Sequence, residues 1–136
     1  MSFSADLLCV YPPKVDEFWP YAEPWLKKAT ERCGEWSIGE IRQQIEKGAL
    51  LWVVWNGEKL SAACVTRLIE VKGEKKCQVL ACGGEGEDWR RRFEEIEDYA
   101  RNEGCVKTQI QGRDGWRGIF SDYDLAWVVL EKRLDE

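Results

Sequence analysis

The sequence predicts a single α/β domain, a mixed and largely antiparallel central sheet flanked by helices, and three observations carry that expectation. Segments rich in β-branched and aromatic residues alternate with segments whose apolar residues recur at helical spacing. Three strand-like segments follow one another across short turns, which is the pattern of an antiparallel meander. A further strand then runs through a glycine-rich loop into an amphipathic helix, a β-loop-α unit. The 136 residues lie within the usual single-domain range of roughly 100 to 200, and no repeat, low-complexity tract or break in composition divides them, so residues 1–136 read as one domain.

The first predicted element is a strand over residues 3–11, stopped by Pro12 and Pro13, since a proline pair cannot continue a ladder. Val15, Phe18, Ala22, Trp25, Ala29 and Cys33 then recur at helical spacing. Pro20 and Pro24 interrupt them, and because each removes a backbone donor, two short helical pieces are expected, closed by Gly34. Ser37 and Glu40 form a Ser-x-x-Glu capping box for a second helix, in which Ile38, Ile41 and Ile45 share a face up to Gly48. Strands follow over 51–55, 60–71 and 77–82, joined at Asn56-Gly57 and around residues 72–75. Trp89, Phe93, Ile96 and Ala100 draw one apolar stripe along a helix over 88–102 that Gly104 ends. A strand over 106–111, a short helix or turn over 115–120 and a final strand over 125–134 complete the predicted order.

Composition narrows the function. Hydrophobic residues at 44 % and charged residues at 33 % suit a soluble globular chain. The longest apolar runs fall far below the roughly 20 residues a bilayer span requires. The N-terminal residues lack the basic and apolar parts of a secretory signal, so a cytoplasmic protein is expected. A net charge of −5 disfavours nucleic acid and anionic membranes as partners. The six cysteines (Cys9, Cys33, Cys64, Cys77, Cys82 and Cys105) include no Cys-x-x-Cys pair and read as free thiols, most of them buried, rather than as a metal site. With no histidine, Ser-His-Asp and Cys-His arrangements are excluded. Of the eight tryptophans, Trp52, Trp55 and Trp127 suit strands and Trp89 a helix core, leaving Trp19, Trp25, Trp36 and Trp116 partly exposed.

The constellation with a chemical mechanism is the loop Ala81-Cys82-Gly83-Gly84-Glu85-Gly86-Glu87-Asp88. First-turn amides of a helix entered this way point outward with partial positive charge and can hold an anion. The same glycines also suit a tight connection, with Asp88 as N-cap. Glu85, Glu87 and Asp88 oppose an anion there, and Arg90, Arg91 and Arg92 lie one turn away.

This element order, over nearly the whole chain, resembles the GNAT acyltransferase superfamily. The family's loop after the fourth strand follows Arg/Gln-x-x-Gly-x-Gly/Ala and binds the diphosphate of acetyl-coenzyme A. Gly84 and Gly86 match its glycines, with Ala81 in the Arg/Gln place. The resemblance implies acetyl-coenzyme A as cofactor, bound through Leu80, Cys82, Gly83, Gly84, Gly86, Asp88 and Arg90, and no metal. It places Tyr123 as the aromatic after the short helix, with Gly118 where the family often carries a catalytic tyrosine. For acyl transfer to an amine, Glu70 is the candidate base, Tyr123 the second candidate catalytic residue, and a backbone amide within 80–82 the oxyanion donor. Three readings follow: an acetyl-coenzyme A-dependent N-acyltransferase with a small-molecule or protein amine as substrate; a non-catalytic binding protein of the same fold with a degenerate loop and a protein partner; and a homodimer in contact through exposed tryptophans. Short divergent chains of this kind are also carried by bacteriophage and prophage genomes, which implies a phage or host protein as partner for the second.

Overall fold

The computed structural model describes residues 6–32, 36–84, 88–112 and 115–135. β1 (Asp6–Cys9) leads through one 3-10 turn (Pro12–Lys14) into α1 (Val15–Arg32) and α2 (Ile38–Glu46). The meander β2 (Leu50–Trp55), β3 (Leu60–Val71) and β4 (Glu74–Gly84) precedes α3 (Trp89–Asn102), β5 (Lys107–Ile110) and the short α4 (Trp116–Ile119). The five strands lie in chain order, all antiparallel except for β4 and β5, which run parallel. The mixed, largely antiparallel sheet is thus the architecture expected.

Helices cover both faces. On one, Val15, Ala22 and Leu26 of α1 and Ile41 of α2 pack on Leu51, Val53, Ala63 and Val65 of the sheet. On the other, Trp89, Phe93, Ile96 and Ala100 of α3 pack with Phe120 on Trp52, Val54, Cys64 and Val79. The helical stripe in the sequence is therefore the buried stripe of α3. The capping box forms as read: Ser37 Oγ accepts from the Glu40 amide, and Glu40 Oε1 accepts from the Ser37 amide. Asn56 Oδ1 accepts from the amides of Glu58 and Lys59, closing the β2–β3 turn. Lys72 and Gly73 both take positive φ at the β3–β4 turn, as a tight hairpin requires.

Two expectations need correction. α1 is one helix of 18 residues, with Pro20 and Pro24 inside it. The prolines lie four residues apart on its exposed side, where water can satisfy the carbonyls they release, while burial of Val15, Ala22 and Leu26 holds the helix to the sheet. The second correction concerns 125–134, which forms no strand. Its sequence has the composition of a strand, but a strand exists only by pairing, and no described strand is hydrogen-bonded to this segment. Gly34 and Cys33 lie outside the described residues. Cys64, Cys77 and Cys82 are buried free thiols, Cys105 is half-buried and Cys9 is exposed.

The core holds a polar link across two strands. Trp52 donates its indole N–H to Thr66 Oγ1 at 2.9 Å, with both side chains buried. Thr66→Val preserves the shape and leaves the indole unpaired. It is expected to reduce stability by about 1–2 kcal/mol in urea unfolding at an unchanged m-value.

Candidate functional site

β4 and β5 are joined only from Lys76↔Lys107 to Val79↔Ile110. The Gln111 amide gives the last bond, to the Val79 carbonyl at 3.4 Å. β4 then continues to Gly84 with no strand partner on that side among the described residues. Two local features cause the parting. Thr66 pairs with Val79 and Val65 with Ala81, which makes Leu80 the extra residue of a β-bulge, and a bulge increases twist and bends its strand. Leu80 and Ala81 consequently both face the α1–α2 layer. Beyond the end of β5, the chain turns tightly against Trp116: a Cβ on Gly112 would stand 2.7 Å from the indole nitrogen.

Gly83 occupies a different kind of position from the one its motif suggests. A Cβ there would lie 2.2 Å from the Trp25 carbonyl oxygen and 3.0 Å from its carbon. The absence of a side chain is therefore what lets α1 lie against β4. Gly84 closes β4 opposite Ala62. Gly86 lies outside the described residues, as do Glu85 and Glu87. Cys82 is buried on the α3 side. Burial, and then the neighbouring Cys64, hold its thiol well above the ordinary range, so the side chain is no nucleophile.

Asp88 is the N-cap of α3. Its Oδ1 accepts the Arg91 amide at 3.3 Å, and its Oδ2 stands 3.7 Å from Arg91 Nε. The chain's own carboxylate thus sits where an anion at this helix end would bind. Arg90 points elsewhere. Its Nε and Nη2 donate to Asp122 at 2.8 and 2.6 Å, Nη1 lies 3.5 Å from Glu97, and the guanidinium lies over the rings of Phe120 and Tyr123. Tyr123 donates its hydroxyl proton to Glu97 Oε2 at 2.6 Å and meets Thr108 Oγ1 at 2.7 Å. Burial first, then the Glu97 contact, raise this hydroxyl above the usual tyrosine range. Thr108 is level with Cys77, so Tyr123 lies two residues short of the place where β4 and β5 part.

The structure therefore places Leu80, Cys82, Gly83 and Gly84 on the part of β4 beyond its last pair with β5, puts Asp88 at the start of α3, and ties Arg90 and Tyr123 to each other's surroundings near Phe120. Glu70 is not brought in. It is exposed near the β3–β4 turn, opposite Lys75, five residues along the ladder from Leu80, or about 17 Å. The bulge, the Glu97–Thr108–Asp122 network and the Trp25 carbonyl left no mark in the sequence. One recess went unread as well. A cavity of about 280 Å³ beside β3 is lined by Gln44, Lys47, Thr66, Arg67 and Tyr99. Arg67 is held there by Gln78 and Gln44 and lies over Trp36. Burial pushes the Tyr99 hydroxyl up to about 12. Thr66 pairs with Val79, so the recess reaches the strand residue that precedes the bulge.

This architecture, a meander whose last strand parts from a parallel neighbour and feeds a helix through a glycine-bearing loop, is the GNAT acetyltransferase fold. Solved structures of that fold match almost end to end. The ribosomal-protein-alanine N-acetyltransferase of Brucella melitensis aligns over 96 % of this chain and 99 % of its own, at 12 % identity and a TM-score of 0.67. Glucosamine-6-phosphate N-acetyltransferase of Arabidopsis thaliana aligns over 97 % and 99 %, at 11 % identity and a TM-score of 0.66. A GNAT family acetyltransferase of Staphylococcus aureus aligns over 96 % and 99 %, at 10 % identity and a TM-score of 0.65. No protein-family model and no curated protein matches the sequence. Among the described residues, no helix is long and apolar enough to cross a membrane, and no group of three or more His, Cys, Asp or Glu is placed to hold a metal ion.

Proposed function

We propose that the protein is an N-acyltransferase that takes an acetyl group from acetyl-coenzyme A and gives it to an amine. The observation that carries this reading is the bulge at Leu80, directly after the last β4–β5 pair. It leaves β4 without a partner on the β5 side as far as Gly84, among the described residues, ahead of the capped start of α3. An extended amide-bearing arm can pair with such an edge as an added strand does, and a diphosphate suits the helix end beyond it. Bound there, the cofactor would supply an activated thioester carbonyl for an amine to attack.

The chain's own contribution is positional and electrostatic. Backbone amides within 80–82 are the donors available to a developing oxyanion, and the parted strands orient the acyl group. Glu70 stands about five ladder positions, or about 17 Å, from Leu80, and this reading gives it no role. Tyr123 would serve as a proton donor only after leaving Glu97, which holds its single proton. The recess beside Thr66 is the candidate acceptor pocket. With Arg67 and Lys47 on its wall, it favours an amine that also carries an anionic group. The structural neighbours, a ribosomal-protein-alanine N-acetyltransferase and a glucosamine-6-phosphate N-acetyltransferase, support the reaction class.

Calorimetry with acetyl-coenzyme A, paired with an assay of thiol release over a panel of amines, tests the reading. Asp88→Asn keeps a good N-cap while removing one negative charge from the helix end. At about 8 Å and an effective dielectric of 20 that charge opposes an anion by about 2 kcal/mol, and solvent screening reduces the effect at so exposed a site. The variant is expected to bind about three- to tenfold more tightly at low salt, with the gain fading as salt rises. No heat at about millimolar ligand in either form, an affinity near −4 kcal/mol or weaker, would sink the proposal.

A further inference from the structure

Among the described residues, three arginines lie over aromatic rings: Arg42 over Trp19, Arg90 over Phe120 and Tyr123, and Arg67 over Trp36. The first two also meet carboxylates, Arg42 those of Asp16 and Glu46, and Arg90 those of Glu97 and Asp122. Arg67 meets the neutral amides of Gln78 and Gln44 instead, through Nε at 2.8 Å and Nη1 at 3.3 Å. It is half-buried, so a positive charge is partly withdrawn from water with no ion-pair partner among the described residues, a state that desolvation penalises. A guanidinium has donors only, so each glutamine commits its carbonyl oxygen to Arg67 and presents donors elsewhere. The recess that Arg67 and Gln44 line adds the Lys47 ammonium and the Tyr99 hydroxyl, and no Asp or Glu is among its described lining. In a chain with 25 acidic and 20 basic residues, this wall carries the opposite charge to the whole.

A planar guanidinium stacked on an indole, with amide, ammonium and phenol donors around it, has the chemistry that recognises an oxyanion. We propose that Arg67 and this recess hold the carboxylate or phosphate group of the acceptor, and that Arg67 thereby selects which amines are used. Anion binding follows from these residues alone; the acceptor as its carrier rests on the acyl transfer proposed above. The ladder sets how far that anion stands from the amine. Arg67 pairs with Gln78, and Gln78 precedes Leu80 and Ala81 by two and three residues, or about 7–10 Å along the strand. The guanidinium lies between Gln78 and Gln44 of α2, on the face of the sheet where Leu80 and Ala81 also pack. An α-amino acid carries its amine and carboxylate on one carbon and is too short to join the two places. The class selected is an amine with a remote anionic group, a longer amino carboxylate or an amino phosphate.

Calorimetry of the full chain without cofactor, with inorganic phosphate and δ-aminovalerate as probes, is expected to detect binding of both. Arg67→Gln should weaken each by about 10- to 100-fold, the worth of a hydrogen bond to a charged group, and Arg67→Lys should restore part of the loss. Lys47→Ala, at an exposed position where substitution leaves the fold intact, should weaken phosphate by about threefold. With acetyl-coenzyme A present, kcat/KM should be higher for δ-aminovalerate than for glycine or for pentylamine, which has the same chain length without the anion. Arg67→Gln should reduce the preference for δ-aminovalerate over pentylamine, through KM rather than kcat. No binding of either probe by the parent at about 10 mM overturns the inference, as does equal binding by Arg67→Gln, or glycine used as well as δ-aminovalerate. Anion binding that depends on Arg67 in a protein giving no heat with acetyl-coenzyme A keeps the anion site and removes the acyl-transfer reading. Pentylamine used as well as δ-aminovalerate keeps acyl transfer and removes this selection.

Discussion

Gly83→Ala is expected to lower the stability of the ligand-free protein by about 3 kcal/mol, at the upper end of what overpacking a core usually costs. The added carbon would lie 2.2 Å from the Trp25 carbonyl oxygen. That neighbour is helix backbone, so α1 must shift as a whole rather than turn a side chain aside. With roughly 3 °C of melting temperature per kcal/mol at this chain length, a drop of about 10 °C should appear in a tryptophan-fluorescence melt. Gly118→Ala is the control, since nothing lies within 4 Å of its added carbon, and it should melt with the parent. A glycine kept only for a ligand would tolerate alanine in the absence of ligand, so an unchanged melt for Gly83→Ala would remove the packing account.

Arg90→Ala is expected to cost about 2 kcal/mol, because it strands the largely buried Glu97 carboxylate beside Tyr123 and removes the stack over two rings. Asp122 adds a pH signature. Its hydrogen bond from Arg90 holds that carboxyl below the usual aspartate range, so the contribution is present above the ordinary value of about 3.9 and is lost as pH falls through the lowered one. The stability gap between parent and variant should therefore be full near neutrality and narrow below about pH 4. If Arg90 instead met the diphosphate, as its place one turn into the helix suggests, the variant would lose acetyl-coenzyme A affinity and keep its melt. Calorimetry beside urea unfolding separates the two outcomes.

The contrast between Gly83 and Arg90 explains how much of the site was legible. A motif read along the chain assigns neighbouring residues to one task, because it sees spacing and not direction. Once β4 bulges at Leu80, Gly83 abuts α1, while Arg90 turns toward Asp122, which is 32 residues away. Asp88 was readable, since a capping carboxylate acts on amides within its own helical turn. Glu70 was misplaced for a simple reason: position along a strand says nothing of which end of the sheet a cleft opens at. The prolines of α1 mark the same limit, since their local cost was legible and the burial that outweighs it was not.

Taken alone, the sequence determined the element types up to residue 120, the two buried helix faces, the turns at Asn56 and Gly73 and the single cap of α3, because periodicity, capping and positive φ act over a few residues. Only the tertiary structure decided where β4 and β5 part, which glycine serves packing, which arginine is pinned, and that residues 125–134 stand outside the sheet. Those outcomes depend on partners many residues distant, and local chemistry sets what a segment can become without naming the surface it meets.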